Sequence, residues 1–147
     1  MRMPPEELKK GIETSLKFLK RAGLKVLDIR PHYVKLSLPL KDNENHLGIM
    51  YAGALFTIAE VPGGALCFST FDASIFFPVA KEVNIKFLAP AKTDVVIEIS
   101  MDPLESARIE KEASETGKSE FIIDGEIMDL SGKIVAVSRG VYQLRKI

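Results

Sequence analysis

The residue best suited to chemistry is Glu60, the single carboxylate in an otherwise apolar run from Asn45 to Phe71. Burying an unpaired charge is costly, so a lone carboxylate in such a segment needs either a partner or a function. It could be a structural group that caps a backbone or pairs across a subunit interface. Its isolation favours a catalytic or binding role.

No other group completes a familiar reactive set. His32 and His46 lack the spacing of metal ligands and are expected to be solvent or loop histidines. Cys67 follows Glu60 by seven residues, and a small core residue is the favoured interpretation over a nucleophile. A zinc-ligand set and a Gly-rich phosphate loop are missing from the sequence, so we expect no metal and no cofactor.

Length and charge narrow the class of protein. The 147 residues suit one domain, over residues 1–147. Lys plus Arg and Asp plus Glu number 20 each, without a basic block, so neither a nucleic acid nor a membrane surface is an expected partner. The N-terminus is too polar for a signal peptide and one cysteine excludes an intramolecular disulfide, which predicts a cytoplasmic protein.

One helix is predicted before the apolar run and another within it. Apolar residues recur every three to four positions between Pro5 and Gly23, which indicates one amphipathic helix; they are Leu8, Ile12, Leu16 and Leu19. The stretch from Ala52 to Phe71 is too long for a strand and predicts a helix buried on most sides. Its central Glu60, Pro62, Gly63 and Gly64 argue against a membrane span. Pro62 should bend it, and the two glycines should let another backbone approach.

The remaining segments alternate with period two, apart from one. Strands are predicted within 26–40, at 83–87, at 95–101, at 121–128 and at 134–144. Between 102 and 117, capping by Asp102, Pro103 at the first helical position and a closing Gly117 predict a surface helix. Only Leu104, Ile109 and Ala113 are expected to touch the body of the protein. The fold class is therefore α+β, an antiparallel sheet around a central buried helix.

The residues from Asn45 to Glu60 resemble a motif of a known family. The pattern Asn45-x-x-Gly48-x-x-Tyr51-Ala52-Gly53 followed by Glu60 looks like the Asn-x-x-Gly-x-x-His-Gly-Gly…Asp/Glu motif of hotdog-fold acyl-CoA thioesterases. The segment from Val83 to Ala91, which includes Asn84, resembles the strand and proline turn that follow in that superfamily. The likeness covers about 24–144 and is nearest to the YiiD C-terminal-type thioesterase branch.

This resemblance implies a hotdog sheet of five or six strands and a homo-oligomer, either a dimer or a dimer of dimers, with its site at the subunit interface. It implies an acyl-CoA or related acyl thioester as substrate. Glu60 takes the position of the catalytic carboxylate, Ala52 supplies the oxyanion N–H and Asn45 is the polar residue before the helix. The positions implied in substrate binding are Gly48, Tyr51, Gly53 and Asn84.

The motif is altered at three positions, and two functions therefore stay open. Tyr51 replaces the motif histidine, Ala52 replaces a glycine, and Gly64 stands where related enzymes often carry a Thr or Ser that holds water. The first hypothesis is a thioester hydrolase with Glu60 as general base or nucleophile. The alternative is a non-catalytic hotdog that binds acyl thioesters or lipids. Apolar walls for an acyl group could come from Phe56, Phe68, Phe71, Phe76 and Phe77.

Overall fold

The computed structural model describes residues 2–147, and these form four helices and six strands. In chain order they are α1 (Pro5–Thr14), α2 (Lys17–Ala22), β1 (Lys25–Arg30), β2 (Tyr33–Leu38), α3 (Ala52–Thr70), β3 (Phe76–Phe87), β4 (Val95–Ser100), α4 (Pro103–Thr116), β5 (Lys118–Asp129) and β6 (Ile134–Lys146). The six strands make one sheet, and every neighbouring pair is antiparallel. The predicted α+β architecture is confirmed, with six strands.

The order of strands across the sheet is β1-β2-β4-β5-β6-β3. β3 and β4, which follow one another along the chain, are therefore not neighbours, although a turn-like segment joins them. β3 pairs with β6 on one side only, and its other side is an unpaired edge twelve residues long. An edge of this length offers a row of free N–H and C=O groups to another chain.

The central helix α3 lies against all six strands. Thirteen of its nineteen residues are buried, which agrees with the helix predicted from the apolar run. It is also the one helix within residues 2–147 that is long and apolar enough to span a membrane, a test that the core helix of a soluble protein passes as well. Its packing inside the sheet accounts for its composition.

The neighbours of Gly63 and Gly64 in α3 differ from the backbone contact that was predicted for them. The group that approaches Gly63 is an aromatic ring rather than a backbone, because a Cβ added there would lie 2.1 Å from Cε1 of Tyr142. At Gly64 an added Cβ would meet only Cγ of Pro78, at 3.9 Å. Close packing thus explains Gly63 and leaves Gly64 unexplained.

The N-terminal segment is two helices, and the prediction of one continuous helix was wrong. Leu16, the residue that precedes α2, has extended backbone angles (φ −99°, ψ 116°), which interrupt the helix after α1. Leu8 and Leu19 are buried as expected, but Leu16 is 60% exposed. The apolar spacing continues across the break and so gave no signal of it.

Helix α4 begins and ends where the sequence predicted. The Asp102 side chain accepts a hydrogen bond from the Leu104 N–H, and the chain leaves the helix through Gly117 in the left-handed conformation. The predicted contacts were wrong at Leu104, which is 80% exposed. Ser106 is buried instead, together with Ile109 and Ala113.

Candidate functional site

Glu60 lies in the middle of α3, on the side that the sheet does not fully cover. Its side chain is partly buried, and burial raises the pKa of its carboxyl above the usual range. Within residues 2–147 the carboxylate has neither a hydrogen-bond donor nor a cation as partner. A carboxylate held this way is a stronger base than one in water.

The backbone at Glu60 is anchored by Tyr142 of β6. The Tyr142 hydroxyl donates a hydrogen bond of 3.0 Å to the Glu60 carbonyl oxygen. The Tyr142 ring is only 2% exposed and stacks on Phe121, with 5.8 Å between ring centroids. Burial also raises the pKa of the Tyr142 hydroxyl, so it remains a donor at neutral pH. Tyr142 therefore fixes the segment of α3 that carries Glu60.

The start of α3 supplies free N–H donors. The carbonyl of Tyr51 accepts from the N–H groups of Ala54 and Leu55, at 2.9 and 3.1 Å. No acceptor within residues 2–147 lies against the N–H of Ala52 or of Gly53, and no side chain caps the helix. Unpaired N–H groups at a helix N-terminus, with the helix dipole behind them, suit a developing negative charge.

Asn45 belongs to the loop that leads into this helix. Its Oδ1 accepts from the N–H of Leu47 at 2.8 Å and of Ile49 at 3.3 Å, which is the role of a turn residue. Its Nδ2 has no acceptor within the described chain and can still donate. Gly48 is in the same loop with φ +78°, so its place in the motif reflects backbone conformation.

Tyr51 precedes the helix and covers Gly53. A Cβ added at Gly53 would lie 2.4 Å from Cε2 of Tyr51, so the ring occupies the space that any side chain there would need. Tyr51 itself is 58% exposed. The pair packs together beside the free N–H groups.

The three predicted catalytic residues of one chain line two separate cavities. Asn45 and Ala52 line a cleft of about 370 Å³, whose opposite wall is the segment Phe87–Ala91. Glu60 lines another of about 290 Å³, between α3 and the N-terminal helices. Ala52 and Glu60 are eight residues apart on one helix, which places them about 12 Å apart along its axis. Within one chain, Ala52 and Glu60 therefore do not face a common site.

Asn84 lies elsewhere. It is on β3 with its neighbours Glu82 and Lys86, and all three line a broad concavity of about 1050 Å³ on the face of the sheet that turns away from α3. The structure does not bring Asn84 together with Glu60 or Ala52. Alternation along the strand gives the reason, because Val83 and Ile85 pack against the core and Asn84 must point the other way.

The other candidate groups have structural surroundings. Cys67 is 3% exposed, and burial raises the pKa of its thiol to about 12, which makes it inert. His32 lies in the turn between β1 and β2, which agrees with the predicted solvent or loop position, and it is half-buried with its Nε2 2.9 Å from Oγ of Ser106. His46 is exposed in a loop. No group of three or more His, Cys, Asp or Glu in the described part of the chain could hold a metal ion.

Tyr142 and the N-terminal helices belong to the Glu60 environment, and no local sequence pattern predicted this. Tyr142 is 82 positions from Glu60, and nothing in either segment marks the pairing. Gly63 was the one local indication, because a glycine inside a helix suggests that a bulky side chain packs against it. Of the predicted aromatic walls, Phe68 lines the Glu60 cavity, Phe71 lines an adjoining cavity of about 280 Å³, and Phe76 is in the core. Phe56 and Phe77 line neither of these two cavities, and both are about 40% exposed.

Comparisons with known proteins agree with this architecture. A protein family described as a domain of unknown function, DUF4442, matches residues 6–144. The Pseudomonas aeruginosa protein PA5026, described as a protein of unknown function and probable thioesterase, is 42% identical with a TM-score of 0.95, over 100% of this chain and 99% of that one. The predicted hotdog fold is thereby confirmed. No curated protein matches the sequence.

Two more distant structures share the fold. A Chlorobaculum tepidum protein of unknown function is 20% identical, with a TM-score of 0.84 over 97% of this chain and 94% of that one. The Haemophilus influenzae thioesterase HI1161 is 13% identical, with a TM-score of 0.75 over 99% and 93% of the two chains. At these identities the likeness concerns the fold alone.

Proposed function

Since the chain belongs to the DUF4442 family, and its 42% identical relative is described as a probable thioesterase, we propose that it hydrolyses acyl thioesters, with acyl-CoA or a related thioester as substrate. The YiiD C-terminal-type branch and the cytoplasmic location remain predictions. One observation carries the proposal: the Glu60 carboxylate is partly buried beside an apolar cavity and has no partner in the described chain. A structural carboxylate would be paired.

The oxyanion formed at the thioester carbonyl is stabilised at the start of α3. The N–H of Ala52, with that of Gly53 beside it, is free to donate, and both lie at the positive end of a nineteen-residue helix. Preorganised donors of this kind are worth about 10²–10³ in rate each. The free Nδ2 of Asn45 lines the same cleft and orients the thioester.

Glu60 acts on the other side of the carbonyl. As general base it takes a proton from water while the water oxygen attacks the carbonyl carbon, and the C–S bond then breaks to release the thiol. As nucleophile its carboxylate oxygen attacks the carbonyl carbon directly, and the C–S bond breaks to release the thiolate, which takes up a proton. Water then hydrolyses the resulting anhydride, which releases the acid and restores the Glu60 carboxylate. Both routes need an ionised Glu60, so activity rises with pH through its raised pKa.

The two halves of the site come from different protomers. Ala52 and Glu60 of one chain are about 12 Å apart and open to different cavities, so a complete site needs a second copy. β3 offers its free edge for antiparallel pairing, and Phe56 of α3 and Phe77 of β3, each about 40% exposed, offer apolar surface to a partner. In this dimer, or in a dimer of dimers, the Ala52 N–H of one protomer faces the partner's Glu60.

The test is thiol release from acyl-CoAs of short, medium and long chains by the wild-type protein, Glu60→Gln and the control Glu110→Gln. Glu110 is exposed on α4, and its charge is removed in the same way. We expect Glu60→Gln to lose at least about a hundredfold in kcat, the lower end of general acid–base contributions, and Glu110→Gln to keep the wild-type rate.

Turnover that survives Glu60→Gln would refute this role for the carboxylate. If the wild-type protein shows no turnover but binds acyl-CoA, the alternative of a non-catalytic acyl-binding hotdog is favoured. The free Glu60 argues against that alternative, because a binding module has no use for an unpaired carboxylate in its cavity.

A further inference from the structure

The cavity beside Glu60 lies between α3 and the N-terminal helices, and its walls are almost wholly apolar. One face of α1 contributes Leu8, Gly11 and Ile12, and Ser15 follows directly after the helix. α2 adds Leu19, and α3 adds the stretch that carries Glu60, Gly64 and Phe68. Among the described residues that line the cavity, Glu60 is the one ionisable group. An apolar volume that ends at a single carboxylate suits a ligand with an apolar chain and one reactive polar end.

Two glycines keep this volume open. A Cβ added at Gly11 would meet no atom within 4 Å, and one added at Gly64 would meet only Pro78 in ordinary contact. Glycine inside a helix is less favourable than alanine, and packing requires it at neither position. Residues that reduce stability without a packing reason are found where function needs the space.

We propose that this cavity binds the acyl chain of the substrate, and that α1 and α2 form the wall that selects chain length. This inference rests on the proposed function, since the thioester must lie at Glu60. A cavity of about 150 Å³ holds benzene, so the 290 Å³ here has room for roughly eight to twelve carbons. The substrate class is therefore a medium-chain acyl thioester.

A second cavity of about 280 Å³ continues beyond the first. The two share a wall formed by Met3, Leu8 and Phe68, and the second extends to Phe71. Phe68 is 39% exposed, so its ring can be removed without opening the core. This wall sets the upper limit of chain length in the wild-type protein.

Two substitutions should move that limit in opposite directions. Gly11→Leu fills the cavity from α1, and Thr14→Leu is its control, because Thr14 is exposed on the same helix and does not line the cavity. Phe68→Ala joins the two cavities, and Phe18→Ala is its control, because Phe18 is 60% exposed and lines neither.

The experiment measures the binding of non-hydrolysable alkyl-CoA thioethers with 4 to 16 carbons by calorimetry, and turnover of the matching thioesters. Each methylene that finds apolar surface is worth roughly fourfold in affinity. Gly11→Leu should lose at least about tenfold for the 12-carbon chain and keep the 4-carbon chain within about twofold. Phe68→Ala should gain about tenfold for the 16-carbon chain relative to the 10-carbon chain, and both controls should match wild type.

The outcomes separate this inference from the proposed function. Thioethers that bind with shifted chain lengths, in a protein without turnover, would support the acyl cavity and refute hydrolysis. Glu60-dependent turnover with an unchanged chain-length profile in Gly11→Leu and Phe68→Ala would refute the acyl cavity and leave hydrolysis standing. The inference would be overturned if thioethers of no chain length bind to the protein. It would also be overturned if the preferred chain length shifts equally in the variants and in their controls.

Discussion

The neighbouring glycines of α3 allow one chemical change to be compared in two surroundings. Gly63→Ala places a methyl group 2.1 Å from Cε1 of Tyr142, whereas Gly64→Ala places it 3.9 Å from Cγ of Pro78. Both changes gain about 1 kcal/mol of helix propensity. Tyr142 cannot move away cheaply, because its ring is buried, stacks on Phe121 and is held by its hydrogen bond to Glu60.

The expected free energies of unfolding therefore differ in sign. Overpacking costs about 3 kcal/mol at a rigid site, so Gly63→Ala should be less stable than wild type by about 2 kcal/mol. Gly64→Ala should be more stable by about 1 kcal/mol, as expected for a glycine replaced without strain. The difference of about 3 kcal/mol corresponds to roughly 6–12 °C in Tm for a chain of this size.

Urea unfolding of the two variants and wild type at one protein concentration measures this difference directly. In a Tyr142→Ala background, which is itself destabilised by the loss of a buried ring, Gly63→Ala should cause no further loss because the ring that clashes is gone, so the two changes should be strongly non-additive. Equal effects of the two alanines, or a Gly63→Ala protein as stable as wild type, would refute the packing of Tyr142 on Gly63.

Three further predictions follow from the surroundings of Glu60, Cys67 and Asp102. Burial raises the folded-state pKa of Glu60, so its stabilising contribution is complete below the unfolded pKa of about 4.5 and is lost as pH rises through the folded-state pKa. Glu60→Gln should therefore match wild type in urea unfolding at low pH and be more stable than wild type at neutral pH. A wild-type protein more stable than Glu60→Gln at neutral pH would contradict this. Because burial raises the pKa of Cys67 to about 12, a chromogenic disulfide reagent at pH 8 should modify the thiol orders of magnitude more slowly in the native protein than in urea, and equal rates would show that it is accessible. Asp102→Ala should lower the free energy of unfolding by about 1 kcal/mol through loss of the bond to the Leu104 N–H, and Asp102→Asn should retain most of it.

The features that the sequence predicted well are those recorded in local residue patterns. The ends of α4 follow from Asp102, Pro103 and Gly117, which act within a few residues of one another. The central helix follows from an apolar run longer than any strand needs, and Glu60 was recognisable as a candidate because nothing nearby in sequence could pair with it. Each of these features depends only on residues that are close together in the chain.

The features that the sequence could not predict depend on distant contacts. The ring that requires Gly63 belongs to β6, and the bond to the Glu60 carbonyl spans 82 positions. The separation of β3 from β4 is a matter of sheet topology, which no turn between them encodes. Leu16 fits the periodicity of α1, yet the chain breaks there, because spacing alone does not show where a helix ends. The Glu60 cavity exists only once α1 packs against α3.

The central claim is that Glu60 of one protomer works with the Ala52 N–H of the other. Ala52→Pro removes that N–H at the first helical position, where proline fits, and the extended ψ of 139° at Tyr51 is the conformation that a residue before proline prefers. Ala52→Gly is the matched control, because it keeps the N–H.

The most direct measurement is the turnover of dimers formed from Glu60→Gln chains and Ala52→Pro chains mixed in equal amounts. Each variant alone should be nearly inactive. The mixture should recover roughly a quarter of the wild-type rate, since about half of the dimers are mixed and one of the two sites in each is intact. A mixture as inactive as its components, when subunit exchange has been verified with two affinity tags, would contradict the shared site.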